Sequence, residues 1–223
     1  MISPGHRQRT RDRFLNAGVD GLEDHELLEV LLAVAVPRVD TKATAWALIR
    51  KFGSFASVVD ATPKELQEVM GVGPAGAAAI KIVKGAATAY LKQGLVECDA
   101  VSSPEAVARY SRMAWAGEPN ESVHALFIDN RNRVRRAEQI ATGTVNRAAA
   151  YPRKVVESAL QARATGVILV HNHPSGSLDP SAEDERFTCE AQQALKTVDI
   201  RLVDHVIVSR DGWLSFRTTG RLG

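Results

Sequence analysis

The spacing of apolar residues changes once along this chain, from a helical period to a strand period, and that change constrains the fold more than any single motif. In the first half, Leu27, Leu28, Leu31 and Leu32 of "DHELLEVLLAVAV" recur at three- and four-residue steps, as one face of a helix requires. No segment before about residue 96 alternates with period two. After "AGEPN" the pattern switches: "SVHALFID", "RVRRAEQIA", "TGVILV", "IRLVDHVIV" and a final "WLSF" read as strands. "EAVARYSRM" precedes them as a helix, and "YPRKVVESALQARA" and "SAEDERFTCEAQQALK" read as helices between them. The expected architecture is α/β, with an all-α domain over residues 1–95, a linker over 96–102, and an α/β domain over 103–223. That second domain should hold a central mixed sheet with an antiparallel hairpin turning near Asn130.

Punctuation residues set the helical half. Asp24 is placed to cap the first apolar helix, Pro37 ends it, and Asp40 can cap the next, which stops at Gly53. Thr62-Pro63-Lys64-Glu65 is a capping box with proline at the first helical position. Gly71-Val72-Gly73 then makes a tight turn before a helix opened by Pro74. This unit resembles the helix-hairpin-helix module of DNA-binding proteins, in which glycines let the backbone approach a phosphate at a helix N-terminus. The resemblance would make Gly71, Gly73, Lys81 and Lys84 the DNA contacts, although Ala75 stands where a basic residue is common. The alternative is an αα turn used only for packing.

Charge gives nucleic acid little support. Residues 1–96 carry 12 Lys+Arg against 10 Asp+Glu and the remainder 16 against 16, so neither half is a polycation. Arg131, Arg133 and Arg135 would share one face of a strand, with Arg136 beside them, and are read as the solvated face of a hairpin. Cys98 and Cys189 belong to no CxxC or CxxH pair and are expected to be reduced thiols. No apolar run approaches the ~20 residues of a membrane span, and the basic N-terminus lacks the apolar core of a signal peptide. A cytoplasmic protein with no membrane partner is the expectation.

Chemistry concentrates in "HNHPSGSLDPSAED", His171 to Asp184. "TGVILV" is short and apolar throughout, as a strand buried on both faces would be. His171 and His173 follow at its carboxyl end, and period-two geometry turns both imidazoles to one side, where they can share a metal ion. Pro174 stops the strand, and Ser181 opens a helix with Asp184 on its first turn, from which a carboxylate can return to the histidines. Two histidines and one carboxylate with an open fourth position describe a catalytic zinc (Zn2+) site. Ser181-x-x-Asp184 is also a helix-capping pattern, but capping leaves the two histidines unexplained. With six His, 13 Ser and 12 Asp in the chain, the whole string arises by chance in roughly one such sequence in two thousand.

H-x-H-x7-S-x-x-D is the motif of the JAMM (MPN+) metalloprotease domain, and "ILVHNHPSG" with "PSAED" resembles the bacterial RadC family. "EPNESVHALFIDNRNRV", "ATGTV", "YPRKVVESAL" and "RLVDHVIVS" fit the RadC pattern in order, as do the long "DHELLEV…RKFGS" segment and the "GVG" turn. The resemblance implies a JAMM domain of cytidine-deaminase-like fold following a helical domain. It implies zinc ligands at His171, His173 and Asp184, and a serine at Ser181 that hydrogen-bonds the water or the developing oxyanion. It also implies a glutamate general base near the first strand: Glu121 matches best, with Glu118 and Glu138 as alternatives. The reaction class implied is hydrolysis of an amide or isopeptide bond in a protein or peptide substrate.

Asp204-His205 fits the family pattern without an assigned role, and His205 is read as a satisfied core histidine. His6, His25 and His124 lack ligand-spaced partners. A zinc deaminase would need H-x-E with P-C-x-x-C, and a zincin would need H-E-x-x-H; neither string occurs. The rival of another class is a DNA-associated repair or recombination factor, binding DNA through the helical domain with the zinc domain as scaffold.

Overall fold

A computed structural model describes residues 4–143 and 152–222. Thr144, Val145 and Tyr151, three of the residues in the family-like strings, lie outside that range. The chain divides into two compact units, Met1–Ala86 and Ala87–Gly223.

The first unit is helical. It contains α1 (Pro4–Ala17), a 3-10 turn (Gly18–Gly21), α2 (Asp24–Ala35), α3 (Lys42–Phe52), α4 (Phe55–Asp60), α5 (Pro63–Gln67) and the start of α6 (Pro74–Glu97). Leu28 and Leu32 of α2, Leu48 of α3, Val58 of α4, Leu66 of α5 and Ile80 of α6 form its core. The apolar period seen in sequence therefore marks the buried faces. Two helices lack a sequence signal: α1 is polar along its length, and α4 has only six residues, too few for periodicity to register.

Most helix ends follow the expected chemistry. Thr62 and Glu65 complete a capping box at α5, Asp40 accepts the Lys42 amide at 3.0 Å, and Gly53 ends α3 at φ 90°. Asp24 does not cap α2. Glu23 holds that position, with the Glu26 carboxylate accepting its amide at 3.2 Å, while Asp24 accepts the Phe55 amide at the start of α4 at 2.7 Å. Gly71 has φ +92° and packs so tightly on the Thr44 side chain that a Cβ there would collide with it.

The second unit is a layered α/β domain. It takes the end of α6, then α7 (Pro104–Trp115), β1 (Ser122–Ile128), β2 (Val134–Thr142), α8 (Pro152–Gln161), β3 (Gly166–Asn172), α9 (Ala182–Lys196), β4 (Arg201–Val208) and β5 (Trp213–Ser215). The strand order is β2-β1-β3-β4-β5. Among the described strands only β3 and β4 run parallel, which makes the sheet mixed. Residues 96–102 finish α6 and then pack into this unit: Ala100 is buried and its amide donates to Asn132 O at 3.0 Å.

Every residue of β1 and β3 is buried, because helices cover both sheet faces. Leu126, Ile128, Ile168, Val170 and Val206 point toward α7 and the end of α6. Val123, Phe127, Val167 and Leu169 point toward α8 and α9, meeting Val155, Ala159, Phe187 and Leu195. Strand alternation alone accounts for this partition.

The hairpin corrects one expectation. Strand β2 begins at Val134, so Arg131 and Arg133 lie in the turn, where their amides donate to Asp129 Oδ1 at 2.8 and 3.1 Å. Arg135 pairs with Asp129 and Arg136 with Glu138, at 2.7 and 2.8 Å. Arg131, Arg133 and Arg135 therefore do not share a strand face.

Candidate metal centre

The pairing of β1 with β3 builds the site. Ser122 stands opposite Asn172 and Val123 opposite His171 in an antiparallel ladder. One step further, the same register brings Glu121 beside His173. Opposed residues share a sheet face, so Glu121, His171 and His173 converge on the α8/α9 side, at the carboxyl end of β3. Their potential ligand atoms all lie within 4.8 Å of one another. The first turn of α9 closes the site, with Asp184 Oδ1 2.8 Å from His171 Nδ1 and Oδ2 3.6 Å from His173 Nε2.

The Asp184 carboxylate caps α9 and also faces the histidines, because it divides its two oxygens. Oδ2 accepts from the Ser181 amide at 2.8 Å and from its hydroxyl at 2.7 Å, while Ser181 Oγ accepts from the Asp184 amide at 3.1 Å. Oδ1 faces His171 and has no hydrogen-bond partner. The same holds for both ring nitrogens of His171, a residue only 1% exposed. His171 Nε2 is left without a partner, and the close pair of Asp184 Oδ1 and His171 Nδ1 lacks hydrogen-bond geometry, a costly arrangement for buried polar atoms. A cation coordinated there would satisfy them, so the donor set fits a metal ion.

Surrounding groups orient the donors. His173 Nδ1 lies 2.9 Å from Ser177 O, so Nδ1 carries the proton and Nε2 offers its lone pair to the site. The loop supplying Ser177 turns at Gly176, where φ is +89°. Thr188, one turn after Asp184, donates to Asp184 O at 2.6 Å and sits 2.6 Å from His205 Nδ1. His205 thus braces the first turn of α9 from β4, although its Nε2 has no partner, so it is not the fully satisfied core histidine expected. Asp204 points the other way and ties β4 to the chain end, accepting from Ser215 Oγ at 2.6 Å and from the Arg217 amide at 3.0 Å.

Electrostatics match the geometry. Burial acts to raise the Asp184 carboxyl, but His171, His173 and Ser181 outweigh it and hold the group well below the usual carboxylate range. Burial likewise acts to lower His173, yet Asp184, the Ser177 carbonyl and Glu121 raise it above its ordinary value. Burial, followed by the neighbouring His171, pushes His205 down to about 3.

The alternative carboxylates are engaged elsewhere. Glu118 Oε2 lies 2.8 Å from Ser122 Oγ, on the opposite face of the sheet. Glu138 pairs with Arg136 at 2.8 Å and accepts from Ser158 Oγ at 3.2 Å. Among the described residues, Glu121 is the glutamate that joins the histidines.

The remaining histidines lie apart from this cluster. His124 stacks on Trp115, with ring centroids 4.0 Å apart, and contacts Ser122 Oγ at 2.9 Å. His25 stacks on Trp46, and His6 lies 3.2 Å from Glu29.

Comparison with known proteins agrees with this geometry. Residues 101–221 match the RadC-like JAB domain family, and residues 4–78 match the UPF0758 N-terminal family. A UPF0758 protein of Rhodobacter capsulatus is 40% identical over 212 residues, covering 95% of this chain and 99% of the relative. The chain belongs to the RadC-like UPF0758 family. Within this RadC-like chain, His171, His173, Ser181 and Asp184 all fall inside the JAB match.

Among the helical residues expected to touch DNA, both lysines have partners inside the unit. Lys81 Nζ donates to the carbonyls of Val59, Asp60 and Ala61 at 2.7, 3.3 and 2.8 Å, and so caps α4. Lys84 pairs with Asp60 at 2.8 Å. Both ammonium groups are thus held by groups of the unit itself. Gly71 packs against Thr44 of the same unit, whereas Gly73 meets no neighbouring atom that a Cβ would touch.

Asn172, Ser177 and Thr188 escaped the sequence reading. Thr188 carried a usable signal, since a threonine four residues after a first-turn ligand shares its helix face. Asn172 and Ser177 carried none, because their partners are fixed by strand register and loop path.

Proposed function

We propose that this protein is a zinc-dependent hydrolase of the JAMM type, a metallopeptidase or isopeptidase cleaving an amide bond in a protein or peptide. The observation that carries the reading is the buried cluster in which both His171 nitrogens and Asp184 Oδ1 make no hydrogen bond beside His173 and Glu121. Zinc held by His171, His173 and Asp184 would acidify water and polarise the scissile carbonyl.

The chain's own residues supply the remaining chemistry. Asp184 is buried and anchored by Ser181, as a ligand should be, whereas Glu121 is half-buried and reachable from solvent. Glu121 therefore takes the proton from the attacking water and returns it to the leaving amine. Ser181 orients Asp184 in the present arrangement. Donation to an oxyanion, the role implied by the family, requires its hydroxyl to turn away from Asp184 Oδ2. A cytoplasmic setting is consistent with two free cysteines, and no helix among the described residues is long and apolar enough to cross a membrane. The DNA-associated reading has less support, because among the described residues Lys81 and Lys84 are held by carbonyls and a carboxylate of the helical unit.

Metal content tests the proposal. Elemental analysis of protein purified without chelator should find about one zinc per chain, lost in Asp184→Ala. A wild type that stays metal-free after zinc is added back would sink the hydrolase reading.

A further inference from the structure

Asn172 lies between the two candidate histidine ligands in sequence, but strand alternation turns its side chain to the opposite face of the sheet. There it is completely buried. Its carboxamide reaches the residues on both sides of Glu121. Nδ2 donates to Asn120 O at 3.0 Å, and Oδ1 accepts from the Ser122 amide and the Ser122 hydroxyl, each at 2.7 Å. On its other flank Glu121 O accepts from the Gly143 amide at 2.7 Å. Its backbone is thus clamped from both neighbouring strands at the point where β1 begins.

We infer that Asn172 is the positioning residue for Glu121, gripping Asn120 and Ser122 so that the carboxylate is held against the histidine pair. Because Asn172 is covalently flanked by His171 and His173, one side chain sets the distance between base and ligands. Any shift of β3 carries the Glu121 segment with it. An alanine here would leave the Ser122 amide and Asn120 carbonyl without these partners at a strand end, and Glu121 would lose its fixed approach.

The inference rests on the zinc reading above, so its test includes arms that fail separately. Zinc affinity of the full chain is measured by competition with a chromophoric chelator at one pH, for wild type, Glu121→Gln, Asn172→Ala and the double variant. A carboxylate held beside a cation strengthens its binding, so each single substitution should weaken zinc by about 10-fold. In the Glu121→Gln background, Asn172→Ala should cost less than about twofold more, because the group it positions is already neutral.

Equal losses from Asn172→Ala in both backgrounds would mean that Asn172 acts on the histidines directly, and would overturn the inference. Asn172→Ala without effect in the wild-type background would overturn it as well. A wild type that binds no zinc, or a Glu121→Gln variant with unchanged affinity, would instead remove the zinc reading or the Glu121 assignment, and this inference with it. Should Asn172→Ala fail to fold, Ser122→Ala removes one of the three bonds. Its smaller loss should likewise vanish in the Glu121→Gln background, and an undiminished loss there would count against the clamp.

Discussion

Asp184 Oδ1 lies 2.8 Å from His171 Nδ1, and neither atom has a hydrogen-bond partner. The other oxygen of the same carboxylate closes the capping box of α9 with Ser181. Helix start and candidate ligand are therefore one residue, and a substitution there should act on both.

Asp184→Ala should lose the bound zinc and, in the metal-free state, weaken the fold through the lost cap by about 1 kcal/mol. Elemental analysis reads the first effect and guanidinium unfolding in chelator reads the second. Retention of stoichiometric zinc by the variant would show that Asp184 is not a ligand.

Glu121→Gln should keep zinc at micromolar protein concentration and reduce hydrolysis of a peptide or isopeptide pool by about 100-fold or more. Glu118→Gln and Glu138→Gln should hydrolyse normally, since those carboxylates serve Ser122 and the Arg136 pair. Full turnover in Glu121→Gln would show that another group is the base.

The metal-free protein should be most stable near pH 6.5, the ordinary imidazole value. His205 is pushed down to about 3, so below about pH 6.5 the unfolded chain binds a proton that the folded one refuses. Stability then falls with pH by up to about 1.4 kcal/mol per unit. His173 works in the opposite sense: its raised value gives stability that is complete below the ordinary imidazole range and is lost as pH rises through the folded value. Added zinc should abolish the alkaline branch, because a coordinating imidazole is neutral. Chemical unfolding in chelator between about pH 4.5 and 8 tests this, and a flat profile would contradict it.

Lys81→Ala should destabilise the helical unit by about 1.5–3 kcal/mol, since one ammonium group satisfies three carbonyls at the end of α4. Any affinity for DNA, measured across a salt series, should keep its slope in a Lys81→Ala protein that remains folded. A slope lower by about one unit would place Lys81 on a phosphate after all.

The hydrophobic pattern was enough to separate a helical half from an α/β half, because burial on one helix face or both sheet faces leaves a period in the sequence. Together with the motif spacing it also predicted that His171, His173 and Asp184 would lie close to one another, since two residues in a strand share a face and a first-turn carboxylate lies near the preceding loop. It failed at α1 and α4, where length and polarity leave no period, and at Arg131 and Arg133, where strand β2 starts later than the charges suggested. The family resemblance already favoured Glu121 over Glu118 and Glu138, and tertiary structure adds the physical reason for its place: antiparallel register sets Glu121 beside His173, and no local property of the three glutamates encodes that pairing. The same applies to Lys81 and Lys84, whose charge is visible in the sequence but whose partners, the carbonyls closing α4 and the Asp60 carboxylate, are brought together only by helix packing.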